Sequence, residues 1–194
     1  MSGCDLIVMG GSWGGMSAVG RLLEDLPADF PAPVVVVLHR GEGSGDALSV
    51  ILGRRGPLPV RDVEDKSELT TGCVHVAPPG YHLLVERGSL ALSTDPAVHY
   101  SRPSIDVTFE SAAEAYEDRV VGVVLTGDNE DGAAGLREIK RYGGVAIVED
   151  PETAERPIMP RAAIAKARPD AVLPLERIGP TLVQLANAGR EVLR

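Results

Sequence analysis

The sequence predicts an α/β fold: a doubly wound, mostly parallel β-sheet with helices on both faces and a small antiparallel hairpin insertion. Short apolar runs that end at glycines or polar residues alternate with segments of helical spacing, which is the pattern of parallel strands and crossover helices. The first strand, helix and second strand fit into about 34 residues, the size of one right-handed βαβ unit. The middle third instead alternates apolar and polar residues between tight turns, which is typical of antiparallel hairpins.

The N-terminal part of the chain is predicted to form that βαβ unit. An apolar run at 5–9 predicts the first buried strand, and the glycine-rich stretch at 10–15 predicts a tight turn. The next helix is indicated by apolar residues at spacings of three and four, namely Met16, Val19, Leu22, Leu23 and Leu26. Prolines then end this helix, and the valine-rich run at 34–38 predicts the second buried strand. After a polar stretch at 40–46, a short helix is predicted over 47–52.

The remaining elements follow from the same patterns. Short antiparallel strands are predicted from alternating apolar residues, namely Val60, Val63, Val74, Val76, Leu83, Val85, Leu90 and Leu92. The histidines of this region, His75 and His82, are expected at surface or turn positions. The predictions for the rest of the chain are a helix over 103–116, strands at 120–125 and 145–148, and helices over 133–141, 160–167 and 178–193.

Composition places the chain among single globular domains and excludes several classes of partner. Its 194 residues, 44% hydrophobic and 24% charged, are enough to bury a full core without disulfides or metals. The formal net charge of −9 disfavours nucleic acid and anionic membranes, and 4% aromatic residues leave few platforms for base stacking. The longest apolar run, at 34–38, is too short to span a bilayer. We therefore expect no nucleic-acid partner and no membrane insertion.

Three loops carry the candidate functional residues, because ligands of parallel sheets bind beyond the carboxyl ends of the strands. The loop after the first strand reads Gly-Gly-Ser-Trp-Gly and presents Ser12 on a sharp turn before a helix. The loop after the second strand opens with His39, directly at the strand end. The loop after the strand at 120–125 carries Asp128 and Asp131. A serine, a histidine and an aspartate thus fall at one edge of the sheet.

These residue types are those of a serine hydrolase. A serine hydroxyl becomes a good nucleophile when a histidine takes its proton and a carboxylate holds that histidine in the correct tautomer. Ser12, His39 and Asp131 are therefore the candidate catalytic residues, and the helix N-terminus after Ser12 offers backbone amides for an oxyanion. The order Ser–His–Asp along the chain differs from the Ser–Asp–His order of α/β-hydrolases.

Two other interpretations of these loops remain open. A glycine-rich turn after the first strand suits a nucleotide pyrophosphate, although His39 stands where a dinucleotide-binding protein has an acidic residue. Asp128, Glu130 and Asp131 form an acidic cluster that could hold a divalent metal, but adjacent loop carboxylates are more often solvated or cap a helix. Asp131 also suits the N-cap of the helix that follows it.

Over about residues 5–176 the chain resembles the catalytic domain of the CheB chemotaxis methylesterases. The stretches that carry the resemblance are 10–15, His39, 72–78, 82–83, 102–107, 125–127, 131–135 and 159–164. The resemblance implies a doubly wound α/β fold and a triad of Ser12, His39 and Asp131. It also implies hydrolysis of γ-glutamyl methyl esters on chemoreceptors with release of methanol, deamidation of some receptor glutamines, and no cofactor or metal.

The chain departs from the family pattern around its oxyanion loops. Trp13 follows the nucleophile where the family has a small residue or threonine, and Asp128 stands where the family has methionine. The backbone amides near Trp13 and around Asp128 are our candidates for the oxyanion hole, but a carboxylate of Asp128 that pointed inward would oppose the oxyanion. The sequence at 156–160 also differs from the family's glycine-containing stretch. These departures favour the alternative of a catalytically weak or silent binding domain in a signalling complex.

The resemblance also bears on domain organisation. The usual chemotaxis enzyme carries an N-terminal receiver domain, whereas only four residues precede the first predicted strand here. We expect residues 1–194 to form a single catalytic domain without a receiver domain, located in the cytoplasm. Its expected partners are a methylated receptor or another methyl-esterified protein, and a separate response regulator if the activity is gated.

Overall fold

The computed structural model describes residues 4–40 and 47–193, which form ten strands, six α-helices and two short 3₁₀ segments. In chain order the strands are β1 (Leu6–Gly11), β2 (Val34–Leu38), β3 (Val60–Asp62), β4 (Ser67–Glu68), β5 (Val74–Val76), β6 (His82–Glu86), β7 (Ser89–Ser93), β8 (Val120–Val124), β9 (Val145–Glu149) and β10 (Ala171–Leu173). The helices are α1 (Gly15–Asp25), α2 (Ala47–Leu52), α3 (Ile105–Tyr116), α4 (Ala133–Arg141), α5 (Ile158–Ala167) and α6 (Leu175–Ala188). No helix of the described residues is both long and apolar enough to cross a membrane.

Seven strands form one sheet in the order β10-β9-β8-β1-β2-β5-β3, and every pair in it is parallel. From β1 the chain winds outward on one side through β2 and returns on the other side at β8. Because the winding direction reverses beside β1, the loops after β1 and β8 diverge and leave a crevice between them. The predicted doubly wound sheet is confirmed, and this crevice is where its ligand site is expected.

Both faces of the sheet are covered, because successive side chains of a strand point to opposite faces. On one face Ile7 and Met9 pack with the apolar sides of α1, α2 and α6. On the other face Leu6 and Val8 pack with helices α3, α4 and α5 and with strands β6 and β7. The long apolar runs of the central strands therefore reflect burial on both sides.

The middle third divides between two sheets, which corrects the prediction that it is wholly antiparallel. Strands β4, β7 and β6 form a three-stranded antiparallel sheet. Val60, Val74 and Val76 instead belong to β3 and β5, which extend the parallel sheet beside β2. The alternation of a short segment shows that it is extended but does not determine its partner, and here β5 is buried on both faces against β2.

Several other predictions needed correction. His75 and His82 are buried rather than at the surface. Strand β1 continues through Gly11 rather than ending at Met9, and the edge strand β10 was not predicted. Gly10 stands in the strand because a Cβ there would lie 2.3 Å from Ile105 Cγ2, at the close approach of α3 to the sheet.

Candidate active site

The structure brings Ser12, His39 and Asp131 to the crevice at the carboxyl ends of β1, β2 and β8. The Ser12 amide donates to the carbonyl of Thr126 (2.9 Å), and the His39 amide donates to the carbonyl of Gly11 (3.2 Å). These backbone bonds tie the three loops together. Ser12 and His39 both line a cleft of about 750 Å³. The other residues of the described chain that line it are Arg40, Ala97, His99, Tyr100, Ser101, Arg102 and Asn129.

The turn that carries Ser12 is built by glycine. Gly14 has φ 79°, a left-handed conformation that residues with a Cβ seldom adopt, and it forms the N-cap of α1. A Cβ on Gly14 would also lie 2.6 Å from Oε2 of Glu155. The amide of Gly15 donates back to the Ser12 carbonyl (2.8 Å), which closes the turn. Ser12 is therefore held immediately before a helix N-terminus, as its sequence context predicted.

Asp131 is fully buried and its carboxylate is surrounded by donors. Its partners are His39 Nε2 (2.7 Å), Ser104 Oγ (2.8 Å) and the backbone amides of Ile105 (2.7 Å), Asp106 (2.9 Å) and Gly132 (3.1 Å). Burial raises the pKa of Asp131, but the hydrogen bonds from His39 and from the amides of Asp106 and Ile105 outweigh it and hold the pKa below the ordinary value. Asp131 is thus an ionised carboxylate, the form that orients and stabilises a catalytic imidazole.

Asp131 and Asp106 cap each other's helices. The amides that Asp131 accepts from at Ile105 and Asp106 are the first two of α3. The N-cap of α4 is Gly132 and has no side-chain cap, so the prediction that Asp131 is the N-cap of the following helix is wrong. Asp106 Oδ1 instead accepts from the amides of Gly132 (2.9 Å) and Gly135 (2.7 Å) at the start of α4. Each carboxylate therefore meets the positive end of the other's helix, and the exchange fixes Asp131 between α3 and α4.

His39 is mostly buried, with 10% of its side chain exposed, and both of its ring nitrogens have partners. Nε2 faces Asp131, and Nδ1 lies 3.1 Å from Nδ2 of Asn129. The carboxylate places the proton of a neutral imidazole on Nε2, which leaves Nδ1 as the nitrogen with a free lone pair. In the described part of the chain, no hydrogen bond joins the Ser12 hydroxyl to His39.

Two backbone amides beside Ser12 are available for an oxyanion. Among the described residues, the amides of Trp13 and Asp128 donate to no protein group. The adjacent amide of Gly127 is occupied, since it donates to the carbonyl of Arg156 (3.1 Å). A Cβ on Gly127 would lie 3.0 Å from the Cβ of Ser12, so this turn lies directly against Ser12. The amides of Trp13 and Asp128 are therefore free to donate to an oxyanion, and their role as an oxyanion hole remains a prediction.

The side chains of Trp13 and Asp128 point to the rim rather than into the cleft. Asp128 Oδ2 lies 3.5 Å from Nε of Arg156, and its side chain is 44% exposed. The Trp13 indole donates to Glu155 Oε1 (2.9 Å) and stacks under the guanidinium of Arg156 at 5.3 Å. The carboxylate that could have opposed an oxyanion is therefore paired with a cation on the outside of the turn.

Thr126 and Glu149 support the turns that carry the Trp13 and Asp128 amides, and sequence reasoning missed both. The Thr126 amide donates to the buried carboxyl of Glu149 (2.8 Å), whose pKa is raised by burial. The Thr126 hydroxyl donates to the carbonyl of Trp13 (3.0 Å) and accepts from the amide of Arg156 (2.8 Å). The one signal in the sequence was an acidic residue that directly ends the apolar run of β9.

The predicted acidic cluster is not brought together as a metal site. Asp128 pairs with Arg156, Glu130 is 65% exposed and lies 4.0 Å from His99, and Asp131 is buried. A different trio, His99, Asp106 and Asp131, does place donor atoms within 4.8 Å of one another. Both oxygens of Asp131 and Oδ1 of Asp106 already accept from backbone amides, however, so this trio does not suit a cation.

A second cleft, of about 360 Å³, meets the first at Ser12 and His39 and is mostly apolar. Its remaining walls among the described residues are Met16, Leu38, Arg40, Ala47, Leu48 and Ile51. The stretch predicted to precede α2, at 41–46, lies outside the described residues. An apolar wall beside the nucleophile suits an uncharged acyl chain or a hydrophobic neighbour of the scissile group.

Comparisons with known proteins identify the family of the chain. A family model described as CheB methylesterase matches residues 7–182. A Leptospira interrogans protein named "Putative protein-glutamate methylesterase/protein-glutamine glutaminase" is 46% identical over 182 residues, 93% of this chain and 94% of that protein. The protein-glutamate methylesterase/protein-glutamine glutaminase of Symbiobacterium thermophilum is 38% identical over 185 residues, which are 95% of this chain but 51% of that protein.

The fold also matches that of a solved protein. The crystal structure of the Thermotoga maritima CheB methylesterase catalytic domain matches with a TM-score of 0.89 and 35% identity, and the match covers 95% of this chain and 100% of that one. The chain therefore belongs to the CheB methylesterase family.

Proposed function

We propose that this protein is a protein-glutamate methylesterase that hydrolyses γ-glutamyl methyl esters of a methylated chemoreceptor or a similar protein, with Ser12, His39 and Asp131 as its triad. The observation that carries the proposal is the contact of His39 with the buried Asp131 at 2.7 Å, because His39 lines the same cleft as Ser12. Family membership and the names of the relatives support the reaction, and the geometry supports the residues.

The reaction begins with transfer of a proton from Ser12 Oγ to His39 Nδ1 as Oγ attacks the ester carbonyl carbon. The carbonyl oxygen becomes an oxyanion, for which the amides of Trp13 and Asp128 are the donors. The imidazolium, stabilised by Asp131, returns its proton to the methoxy oxygen, and methanol leaves. Water then attacks the acyl-enzyme with His39 as base, which restores Ser12 and releases a glutamate carboxylate.

The same steps support glutamine deamidation. An amide differs from the methyl ester only in its leaving group, and the His39 imidazolium can protonate the departing nitrogen so that ammonia leaves. The acyl-enzyme on Ser12 and its hydrolysis are then identical. The relatives named as both methylesterases and glutaminases agree with this shared intermediate.

The charge of the cleft indicates what surrounds the scissile group. The described residues that line the larger cleft include two arginines and two histidines but no carboxylate, in a chain whose net charge is −9. Arg40 and Arg102 therefore favour a substrate segment in which acidic residues flank the methylated glutamate. Unmethylated glutamates on the same segment would supply such charges. Two nearby carbonyls, of Thr94 and Asp95, orient the guanidinium of Arg102 (3.0 and 3.2 Å).

The alternative of a silent binding domain has less support. Trp13 and Asp128 had favoured it, but both side chains are engaged at the rim, by Glu155 and Arg156. A chain that needed only to bind would have no use for an ionised carboxylate buried against an imidazole, because such a pair is costly to desolvate.

Methanol release from methylated chemoreceptor membranes tests the proposal. We expect release by the wild-type protein and none above background by Ser12→Ala. Ser17→Ala is the matched control, because Ser17 lies five residues further on the exposed side of α1. Release by Ser12→Ala at the wild-type rate would exclude Ser12 as nucleophile, and absence of release from every variant would favour the silent domain.

A further inference from the structure

Asn129 forms a bridge between Asp131 and the catalytic base that the proposed mechanism does not use. Its Oδ1 accepts from the backbone amide of Asp131 (3.1 Å), and its Nδ2 lies 3.1 Å from Nδ1 of His39. Asp131 in turn contacts Nε2 of the same ring at 2.7 Å. Asp131 and Asn129 therefore each contact one of the two ring nitrogens of His39.

The chemistry of the bridge leaves only one arrangement of protons. A backbone N–H can only donate, so the atom of Asn129 that faces the Asp131 amide is its oxygen. The atom that faces His39 is consequently the NH₂ group, which also can only donate. His39 Nδ1 must then be an unprotonated acceptor, and the ring proton lies on Nε2 toward the carboxylate. This is the tautomer that a general base needs.

The same contact occupies the lone pair that the reaction requires. The Nδ1 lone pair lies in the ring plane and accepts one strong hydrogen bond, so the amide of Asn129 and the hydroxyl of Ser12 cannot both use it. In the described structure the amide holds it, and no hydrogen bond joins Ser12 to His39. Asn129 also lines the larger cleft beside Ser12, where a substrate would meet it.

We propose that Asn129 is a positioning residue that holds His39 in the reactive tautomer at rest and competes with Ser12 for its base nitrogen. The inference rests on the proposed function, since it assigns His39 as the base of Ser12. Substrate that enters the cleft displaces the Asn129 amide from His39. The lone pair of Nδ1 then accepts from the hydroxyl of Ser12 instead of from Asn129. The amide released in this step remains at the cleft wall.

Three substitutions at one position separate this role from a structural one. Asn129→Leu has nearly the same shape but lacks both the donor to Nδ1 and the acceptor for the Asp131 amide, so it frees Nδ1 and leaves access to the cleft little changed. Asn129→Asp keeps the acceptor for the Asp131 amide but presents an oxygen to Nδ1, which favours a proton there and removes the base. Asn129→Ala serves if the leucine variant does not fold. Asn187→Leu is the matched control, because Asn187 is exposed on α6, where its side-chain amide donates to the carbonyl of Val183 (2.8 Å).

The first measurement is the rate at which a fluorophosphonate labels Ser12, a reaction that needs His39 but no protein substrate. A net hydrogen bond of ordinary strength predicts labelling roughly three- to tenfold faster in Asn129→Leu, and at least about tenfold slower in Asn129→Asp. Asn187→Leu should label at the wild-type rate, and Ser12→Ala should not label. Equal or slower labelling of a folded Asn129→Leu or Asn129→Ala variant would overturn the proposal.

The second measurement does not depend on activity. In protein with ¹⁵N-labelled histidine, the His39 Nδ1 resonance should be that of an unprotonated nitrogen and should move in Asn129→Leu but not in Asn187→Leu. An unmoved resonance would overturn the proposed contact. Wild-type protein that fails to label would count against Ser12 as nucleophile, whereas this resonance still decides the role of Asn129.

Discussion

The two ends of the candidate triad are built differently. At the inner end, Asp131 and Asp106 are buried, and each accepts hydrogen bonds at the N-terminus of the other's helix. At the outer rim, Trp13 and Asp128 are held by Glu155 and Arg156 through exposed contacts. The inner carboxylates are enclosed by donors, whereas the rim contacts compete with water. Changes at the rim should therefore alter the reaction little, whereas loss of the Asp131 carboxylate at the inner end should stop it.

The largest effect is expected for Asp131→Asn. An amide at this position cannot both accept from the helix amides and hold the imidazole proton on Nε2, so we expect methanol release to fall roughly 10³- to 10⁴-fold. Glu130→Gln is the control, since the neighbouring Glu130 is 65% exposed and should keep its wild-type rate. A loss of less than tenfold in Asp131→Asn would show that His39 does not depend on this carboxylate.

Asp106, the other buried carboxylate, should differ from Asp131, because its replacement by asparagine should not lower the stability of the protein. Burial, together with the like charge of Asp131, raises the pKa of Asp106 above its ordinary value, so its ionised form costs stability at neutral pH. The side-chain amide introduced by Asp106→Asn would keep the oxygen that caps α4. We expect Asp106→Asn to equal or exceed the wild type in free energy of unfolding at pH 7, and Asp106→Ala to lose about 1–2 kcal/mol.

The sign of the pH dependence makes this comparison sharper. A raised folded pKa means that the cost of the charge disappears as the pH falls through that pKa, so any advantage of Asp106→Asn should shrink in acid. Asp131, whose pKa is lowered, loses its stabilising contribution as the pH falls. Denaturant unfolding of the wild type and of Asp106→Asn at neutral and acid pH measures these changes in the free energy of unfolding. An advantage of Asp106→Asn that grew in acid would contradict the assigned charge states.

An intermediate effect is expected where the rim meets the nucleophile. Thr126→Val removes the hydroxyl that joins the carbonyl of Trp13 to the amide of Arg156 but preserves the side-chain shape. The turn that carries the Asp128 amide should loosen, and methanol release should fall about tenfold with little change in KM. Thr153→Val, at an exposed turn, is the control. An equal loss in both variants would remove Thr126 from the site.

The smallest effect is expected for Asp128→Met, which restores the residue type of the family. Because the Asp128 carboxylate faces Arg156 at the exposed rim, we expect the rate to change by less than about threefold. Its backbone amide remains in either variant. A gain of tenfold or more would mean that the carboxylate turns toward the oxyanion during the reaction.

The sequence was sufficient for the fold class and for the three loops, because both depend on local patterns. The apolar runs and helical spacings mark β1, α1 and β2, and the carboxyl-end rule then places Ser12 and His39 together. It was not sufficient for the partner of β5 or for the burial of His82, which depend on contacts between distant segments. The exchange of caps between Asp131 and Asp106 could not be predicted either, since each carboxylate caps a helix about 25 residues away in the chain.

Asn129 illustrates the same limit within the site. No sequence pattern singled it out, and only the folded arrangement shows its amide at His39 Nδ1. The departures at Trp13 and Asp128 were visible in the sequence, but their direction was not. Whether a side chain on a turn faces a cleft or its rim is decided by its neighbours in space, here Glu155 and Arg156.

The acyl-enzyme tests the central claim most directly. A methyl-esterified receptor peptide is mixed with the protein, and the reaction is stopped in acid during turnover. The protein is then digested with trypsin, and the masses of its peptides are measured by mass spectrometry. A methylesterase that uses Ser12 as nucleophile should carry a glutamyl adduct on the peptide 1–21, localised by fragmentation to Ser12 rather than Ser2 or Ser17, and absent from Ser12→Ala. An adduct on another residue, or methanol release that persists in Ser12→Ala, would contradict it.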